Sequence, residues 1–241
     1  MASLRPSVHS SVHSLGHRLA ILVAGGSGTR MGTDQPKQFL LLRGEPVLLH
    51  TLRRFAEPAL GIAEVVLVLP GNQLDTWREL CSEFDVAIPH RLVAGGATRW
   101  ASVKAGLAAL AGHAEGLVAV HDGVRPLVSR AVVERTYAAA ATHAAAAAAV
   151  LPKDSVRLVS QHGSAAHNRS RLRLMQTPQT FEIGLLRRAY AMPELATFTD
   201  DATVVDDLCR VQLVEGDYRN LKITTPEDLL VAEALLGGLV D

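Results

Sequence analysis

Short apolar runs that end abruptly in glycine, proline or charge alternate along this chain with longer stretches of helical spacing. The run "LAILVA" (19–24) stops at a glycine cluster, and "EVVLVLP" (64–70) stops at Pro70 and Gly71. "HRLVAGG" (90–96) leads into a second glycine turn, and "EGLVAVHDGVRP" (115–126) ends on His121, Asp122 and Arg125. Continuous apolar runs bounded by turn residues predict buried parallel strands. Between them, "EPVLLHTLRRFAE" places Val47, Leu48, Leu52 and Phe55 on one side of a helix, and "QLDTWRELCSEF" and "TRWASVKAGLAAL" predict two more. Strand and helix in alternation predict an α/β fold, a doubly wound, mostly parallel, Rossmann-like sheet with right-handed crossovers.

The rhythm changes in the second half. "AVVERTYAAAATH" (131–143) is helical, whereas "AAAAAVLPKDSVRLV" (145–159) is open, since alanine favours helix and the flanking Val-Leu-Pro favours a strand end. "SVRLVS" and "RLRLMQTPQTF", around the Gly/Ser/Asn-containing "QHGSAAHNRS", predict a protruding β-hairpin arm over about 153–180. A lone hairpin is marginal in water, so the arm is expected to pack on something, such as a second subunit. "VQLVEGD" (211–217) reads as a late strand. "TTPEDLLVAEALL" (224–236) reads as a closing helix with Thr225 as N-cap, Pro226 at the first helical position and Asp228 completing a capping box. The first eighteen residues, Ser/His-rich and without an apolar core, predict a disordered tail rather than a secretory signal. Residues 19–241 are then expected to form a single domain, with no repeats and no long linker.

Composition narrows the partners. Hydrophobic residues make up 48% but aromatics only 4%, so the core is expected to be built from Ala, Val and Leu. Lys+Arg and Asp+Glu both number 24, so no global field invites nucleic acid or an acidic membrane, and an anionic ligand needs a local site. Cys81 and Cys209 have no metal-ligand spacing, and the alanine-rich stretch 138–149 is too weakly apolar and too interrupted to span a bilayer. These features favour a cytoplasmic address.

In open α/β sheets, ligands lie off the carboxyl ends of the strands. Three polar loops fall there: 24–37, 95–102 and 121–126. Gly25, Gly26 and Gly28 would let backbone N–H groups approach phosphate oxygens closely. A P-loop is excluded because Thr29 and Arg30, not Lys and Ser/Thr, follow Gly28. The dinucleotide fingerprint is excluded because Gly32 comes late and "TDQPK" interrupts the helix it requires; strand two also ends without the acidic residue of a reductase.

Together, "LVAGGSGTRMGTDQPKQF", "VAGGATRWASVKAGL", "VHDGVRPLV", "LPKDSVRLV", "QTPQTF", "FTDDATVV" and "VEGDYRNLKITTPEDL" resemble the 2-C-methyl-D-erythritol 4-phosphate cytidylyltransferase family. The resemblance runs from about residue 19 to the last helix. It implies transfer of cytidylate from CTP to a polyol phosphate, with Mg2+ held mainly through the CTP phosphates, in a homodimer joined through the arm. It further implies that Arg30 and Lys37 stabilise the transition state, that Lys222 positions the polyol phosphate, and that Arg169 does so from a neighbouring subunit. Ala24, Gly25, Gly26, Ser27, Gly28, Gly95, Gly96, Ser102 and Asp122 match the nucleotide shell; Asp122, Arg125, Thr177 and Thr199 match the acceptor shell. No side-chain metal ligand is implied. The residues themselves leave room for Ser102 as a helix cap, Arg125 as a structural partner of Asp122, and Asp200 and Asp201 as helix N-terminal charges. Gly25 and Gly123 stand where alanine is common in the family, and Thr29 where a charged residue often lies. A ribitol 5-phosphate cytidylyltransferase shares the motifs, and a non-catalytic nucleotide-binding regulator is a further reading. The latter would not need Arg30, Lys37 and Lys222 together.

Overall fold

The computed structural model describes residues 17–25 and 35–238. In chain order these form β1 (Arg18–Val23), β2 (Leu41–Leu42), β3 (Glu45–Pro46), α1 (Val47–Phe55), β4 (Ile62–Leu69), α2 (Leu74–Glu83), β5 (Arg91–Ala94) and α3 (Arg99–Ala109). There follow β6 (Leu117–Asp122), α4 (Arg130–His143), β7 (Ala145–Val150), β8 (Val156–Ser160), β9 (Gly163–His167) and β10 (Leu174–Glu182). The chain closes through α5 (Ile183–Ala191), α6 (Asp201–Val205), β11 (Gln212–Glu215) and α7 (Pro226–Gly237).

The central sheet has seven strands in the order β11-β7-β10-β6-β1-β4-β5. All pairings are parallel except those of β10, which runs antiparallel to both β6 and β7. The expected doubly wound α/β sheet is therefore present, with one strand reversed near its middle. Alternation along β1 builds both layers: Ala20 and Leu22 face α1, α2 and α4 with Leu52, Trp77 and Tyr137, while Leu19, Ile21 and Val23 face α3 and α5 with Val103, Leu107 and Leu186. A third cluster seats α7 through Ala232 and Leu229 against Leu42, Val124 and Ile223.

The alanine-rich segment resolves to a strand. Every residue of β7 is buried, and the strand lies between two neighbours, β10 on one side and β11 on the other. Helix propensity is a weak prior, and two waiting neighbours override it. Small side chains also let α4 approach, where Thr180 Oγ1 donates to Thr136 Oγ1 at 2.9 Å.

The arm is shorter than the sequence pattern predicts. The hairpin consists of β8 and β9 alone, and "LMQTPQTFE" returns to the middle of the sheet. Residues 176–181 are buried there, and a strand covered on both faces shows no period of two. His17 and Arg18, expected in the tail, instead belong to the fold: His17 O accepts from Leu117 N at 3.0 Å, and Arg18 Nη1 donates to Leu60 O at 2.9 Å. The remainder of the expected tail lies outside the described residues; among the described residues no helix is long and apolar enough to cross a membrane.

Candidate active site

The carboxyl ends of β1, β4, β5 and β6 open onto one end of the sheet. At β1, Ala24 N donates to Val68 O at 3.0 Å and Ala24 O accepts from Gln38 Nε2 at 3.0 Å, which ties the first loop to the 3-10 turn Lys37–Phe39. At β5, Gly95 N donates to Leu69 O at 2.7 Å, and a Cβ on Gly95 would lie 2.7 Å from Ser102 Oγ. Glycine is required there because the turn packs directly on α3. Thr98, not Ser102, caps α3: its Oγ1 accepts from Ala101 N at 3.0 Å. Ser102 Oγ instead donates to Thr98 O at 2.9 Å.

At β6, Asp122 is the hub. Its carboxylate lies 3.5 Å from Arg99 Nε, 3.2 Å from Arg125 Nε and 3.1 Å from Lys222 Nζ. Burial pushes its pKa up, but Arg99, Lys222 and Arg125 outweigh that and hold it well below the usual carboxylate range. Arg125 is braced behind it, with Nη1 donating to Asn220 O at 2.8 Å. Arg99 is gripped by the fully buried Asp201, through Nη1–Oδ1 at 3.0 Å and Nη2–Oδ2 at 2.7 Å, and Tyr190 Oη donates to the same carboxylate at 2.6 Å. Burial opposes the Arg99 charge, yet Asp201 and Asp122 raise its pKa further.

Segment 176–179 of β10 supplies the remaining wall. Asp122 N donates to Thr177 Oγ1 at 3.0 Å, and Asn220 Nδ2 donates to Thr177 O at 2.7 Å. Gln179 reaches into the turn before α6, donating to Asp200 Oδ2 and accepting from Ala202 N, both at 2.8 Å. Asp200 caps α6 in a capping box with Thr203.

Two adjoining cavities result. One of about 520 Å³ is lined by Ala24, Gly25, Lys37, Gly96 and Ser102. The other, of about 270 Å³, is lined by Arg125, Gln176, Thr177, Thr199 and Asp200. Arg99, Asp122 and Lys222 line both. Larger clefts of about 830 Å³ lie elsewhere, one around His17 and His113 and one beside Arg171 and Tyr218, and neither is lined by Asp122 or the cations about it. The volumes suit a nucleoside and a small polyol, and the shared wall is where a phosphate would meet cations.

The family model for 2-C-methyl-D-erythritol 4-phosphate cytidylyltransferase (IspD) matches residues 19–238. The chain belongs to this family. The family's proteins are nucleotidyltransferases. The relative from Bacteroides thetaiotaomicron, named 2-C-methyl-D-erythritol 4-phosphate cytidylyltransferase, is 46% identical over 90% of this chain and 98% of its own. The similarly named protein of Porphyromonas gingivalis is 47% identical over 91% of this chain and 97% of its own. Among solved structures, 4-diphosphocytidyl-2C-methyl-D-erythritol synthase from Anaerococcus prevotii superposes with a TM-score of 0.78 at 31% identity, covering 92% of this chain and 96% of that one. The cytidylyltransferase of Thermus thermophilus gives 0.70 at 34% identity, covering 90% and 98%.

Within this family fold, Ala24, Gly25, Lys37, Gly96, Ser102, Asp122, Arg125, Thr177, Thr199 and Lys222 gather at the two cavities, with Gly95 packed beneath Ser102. Arg169 lines neither; it sits in the 3-10 turn Arg169–Arg171, with Nη1 donating to Lys153 O. Gly26, Ser27, Gly28 and Arg30 lie outside the described residues. Sequence reasoning passed over Arg99, Gln179 and Asn220; it read Asp201 as a helix N-terminal charge, which the structure shows, but not as the partner of Arg99. A signal for Arg99 was available: an arginine in the first turn of a helix opposes the macrodipole and calls for a carboxylate partner.

Proposed function

We propose that this chain transfers the cytidylyl group of CTP to 2-C-methyl-D-erythritol 4-phosphate, giving the cytidine diphosphate polyol and pyrophosphate in isoprenoid precursor synthesis by the non-mevalonate route. The observation that carries the reading is the clustering of Arg99, Arg125 and Lys222 about Asp122 where the two cavities meet, in a chain of this family.

In this reading CTP occupies the larger cavity, its base against the Gly95–Gly96 turn and Ser102, and its triphosphate along Ala24, Gly25 and the loop through Gly26, Ser27 and Gly28. The polyol phosphate enters the smaller cavity, its hydroxyl end toward Thr177, Thr199 and Asp122 and its phosphate toward Lys222. A phosphate oxygen attacks the α-phosphorus in line; the new P–O bond forms as the bond to the pyrophosphate oxygen breaks, and pyrophosphate leaves with that electron pair. The nucleophile is already ionised near neutral pH, so no general base is needed. Catalysis consists of positioning and of stabilising charge on the crowded phosphorus, assigned to Lys37 and Arg30. Arg125, with Asp122 on one side and Asn220 O on the other, holds the hub rather than the substrate.

Among the described residues no group of three His, Cys, Asp or Glu could cage a metal, and the Asp122 oxygens already meet three cations. These residues do not fit a protein-built metal site; Mg2+ would arrive on the triphosphate, whose charge it offsets, as that ion tolerates. Arg169 serves the acceptor phosphate of a second copy, which makes the enzyme a homodimer through the arm; the exposed Leu158, Val159 and Leu174 at and beside the arm support this.

Pyrophosphate release by purified enzyme tests the reading. CTP should be used in preference to other triphosphates, and methylerythritol phosphate in preference to ribitol 5-phosphate. Turnover with ribitol phosphate alone would reassign the acceptor, and turnover with neither would discard the reading.

A further inference from the structure

The hydrogen bonds around the end of β6 close on a single arrangement of protons. His121 is fully buried, its ring 4.8 Å from that of Phe55, with Asp122, Arg125 and Arg99 as the neighbouring charges. Its Nε2 lies 3.2 Å from Arg125 O, and its Nδ1 lies 3.1 Å from Thr177 Oγ1. A carbonyl oxygen can only accept, so Nε2 carries the ring proton. Burial drives the imidazole pKa down to about 3, so a second proton is absent at working pH. Nδ1 is then a bare lone pair, and the Thr177 hydroxyl must donate to it. The same Oγ1 accepts the Asp122 amide proton at 3.0 Å. With its proton and one lone pair committed, the threonine oxygen retains one lone pair.

Thr177 lines the smaller cavity, as does Lys222. A lone pair there accepts from a neutral hydroxyl and repels a phosphate or carboxylate oxygen, which has no proton to give. We propose that His121 is a positioning residue that takes up the Thr177 proton and so makes Thr177 Oγ1 an obligate acceptor for a hydroxyl of the polyol substrate. This rests on the cytidylyltransferase reading for the identity of the ligand, and it orients that ligand: hydroxyl toward Thr177, phosphate toward Lys222. A neutral histidine behind a threonine sets the pocket's polarity without touching substrate.

Two substitutions separate this role from simple packing. His121→Asn sets an amide oxygen near the place of Nδ1 and preserves an acceptor for Thr177. His121→Gln reaches the place of Nε2, keeps the bond to Arg125 O and leaves the Thr177 proton free. The KM for polyol phosphate should rise about tenfold or more in His121→Gln and stay within about threefold in His121→Asn, with the KM for CTP steady in both. Loss of folded enzyme would lower the apparent kcat without this split. Ring-nitrogen correlation NMR on the wild-type protein supplies an independent readout: His121 should stay neutral with its proton on Nε2 from about pH 5 to about pH 8. A proton on Nδ1, a ring that titrates in that range, equal KM changes for both substrates, or an Asn variant as impaired as Gln would overturn the proposal. If neither variant folds, the NMR result decides alone. Wild-type enzyme that turned over no polyol phosphate would remove the functional reading and the hydroxyl ligand with it, while the ring proton would still report the hydrogen-bond direction.

Discussion

Replacing Asp201 with asparagine removes one negative charge and little else. The carboxylate is fully buried and accepts from Arg99 Nη1 at 3.0 Å, Arg99 Nη2 at 2.7 Å and Tyr190 Oη at 2.6 Å. Asn keeps the shape, but in either orientation its NH2 group faces one arm of the Arg99 guanidinium, which has no lone pair to offer. The Arg99 guanidinium is then left with Asp122 alone, at 3.5 Å. Breaking a buried ion pair from one side typically costs about 3–5 kcal/mol, because the surviving charge stays desolvated. At the lower end, roughly 3 kcal/mol lowers the melting temperature of a chain of this size by about 6–12 °C. Urea and thermal unfolding of Asp201→Asn, Arg99→Gln and the double variant measure it. The double variant leaves neither charge stranded, so it should be more stable than the sum of single losses implies, by about 2 kcal/mol. The exposed pair Arg53–Glu45 is the control, where Arg53→Gln should cost less than about 1 kcal/mol. A loss below about 1 kcal/mol for Asp201→Asn, or simple additivity, would refute this account of the network.

Lys222→Met should lower kcat/KM by about two to three orders of magnitude while the protein stays folded, since the ammonium is half-exposed; an unchanged kcat/KM would remove it from the site. The two glycines at alanine positions should behave differently. Among the described residues, a Cβ on Gly25 meets nothing nearer than Ser102 Oγ at 3.8 Å, whereas one on Gly123 would lie 2.8 Å from both Ala24 Cβ and Leu48 Cδ1. Gly25→Ala is therefore expected to be neutral or slightly stabilising and Gly123→Ala to cost about 1–3 kcal/mol, read as urea midpoints; the reverse order would count against the packing described. The His121 pKa falls from 6.5 to about 3 on folding, so the unfolded chain binds the extra proton between those values. Stability from this group is complete above about pH 6.5 and declines as pH falls below it, by at most ~1.4 kcal/mol per unit. Asp122, with its pKa lowered from 3.8, adds its own loss only below that value. Urea midpoints between about pH 7.5 and about pH 5 should fall more steeply in wild type than in His121→Asn, and parallel curves would contradict the assignment. Finally, mixing Arg169→Ala with Lys37→Ala chains should restore part of the lost activity if each site draws on two subunits. Proven heterodimers without recovery would show that it does not.

The large strands of the first half were legible because β1, β4 and β6 carry the signal that a covered parallel sheet imposes, apolar runs cut off by polar loops, and the edge strand β5 keeps it though none of its residues is buried; the two-residue strands β2 and β3 are too short to show a pattern. β7 was not, because alanine carries almost no pattern and its pairing is decided by strands far away in sequence. β10 was drawn into the arm because "RLRLM" alternates, while its buried part, holding Gln176, Thr177 and Gln179, reads as polar. Those polar groups are buried only because partners from other loops satisfy them, which no local window reveals. The glycine turns, Lys37 and Asp122 stood out by type and place, whereas Ser102 and Lys222 were singled out only through the family resemblance. The pairing of Arg99 with Asp201 did not stand out, since residues 102 positions apart become a pair only when α3 and α6 meet.

The return of the chain from β9 into the centre of the sheet has a practical corollary for anyone wishing to label or extend this protein. Between the exposed turn at 160–163 and the central sheet stands the length of the hairpin, so a dye or affinity handle placed there leaves the sheet untouched and probes the contact proposed between two copies. At the other side of the same excursion there is no such slack: Met175 already pairs with Ala149, and Gln176, the next residue, is fastened to Asp217. One additional residue spliced in at that point would slide the strand by one place and turn Thr177 away from His121, converting a tolerated insertion into an inactive enzyme.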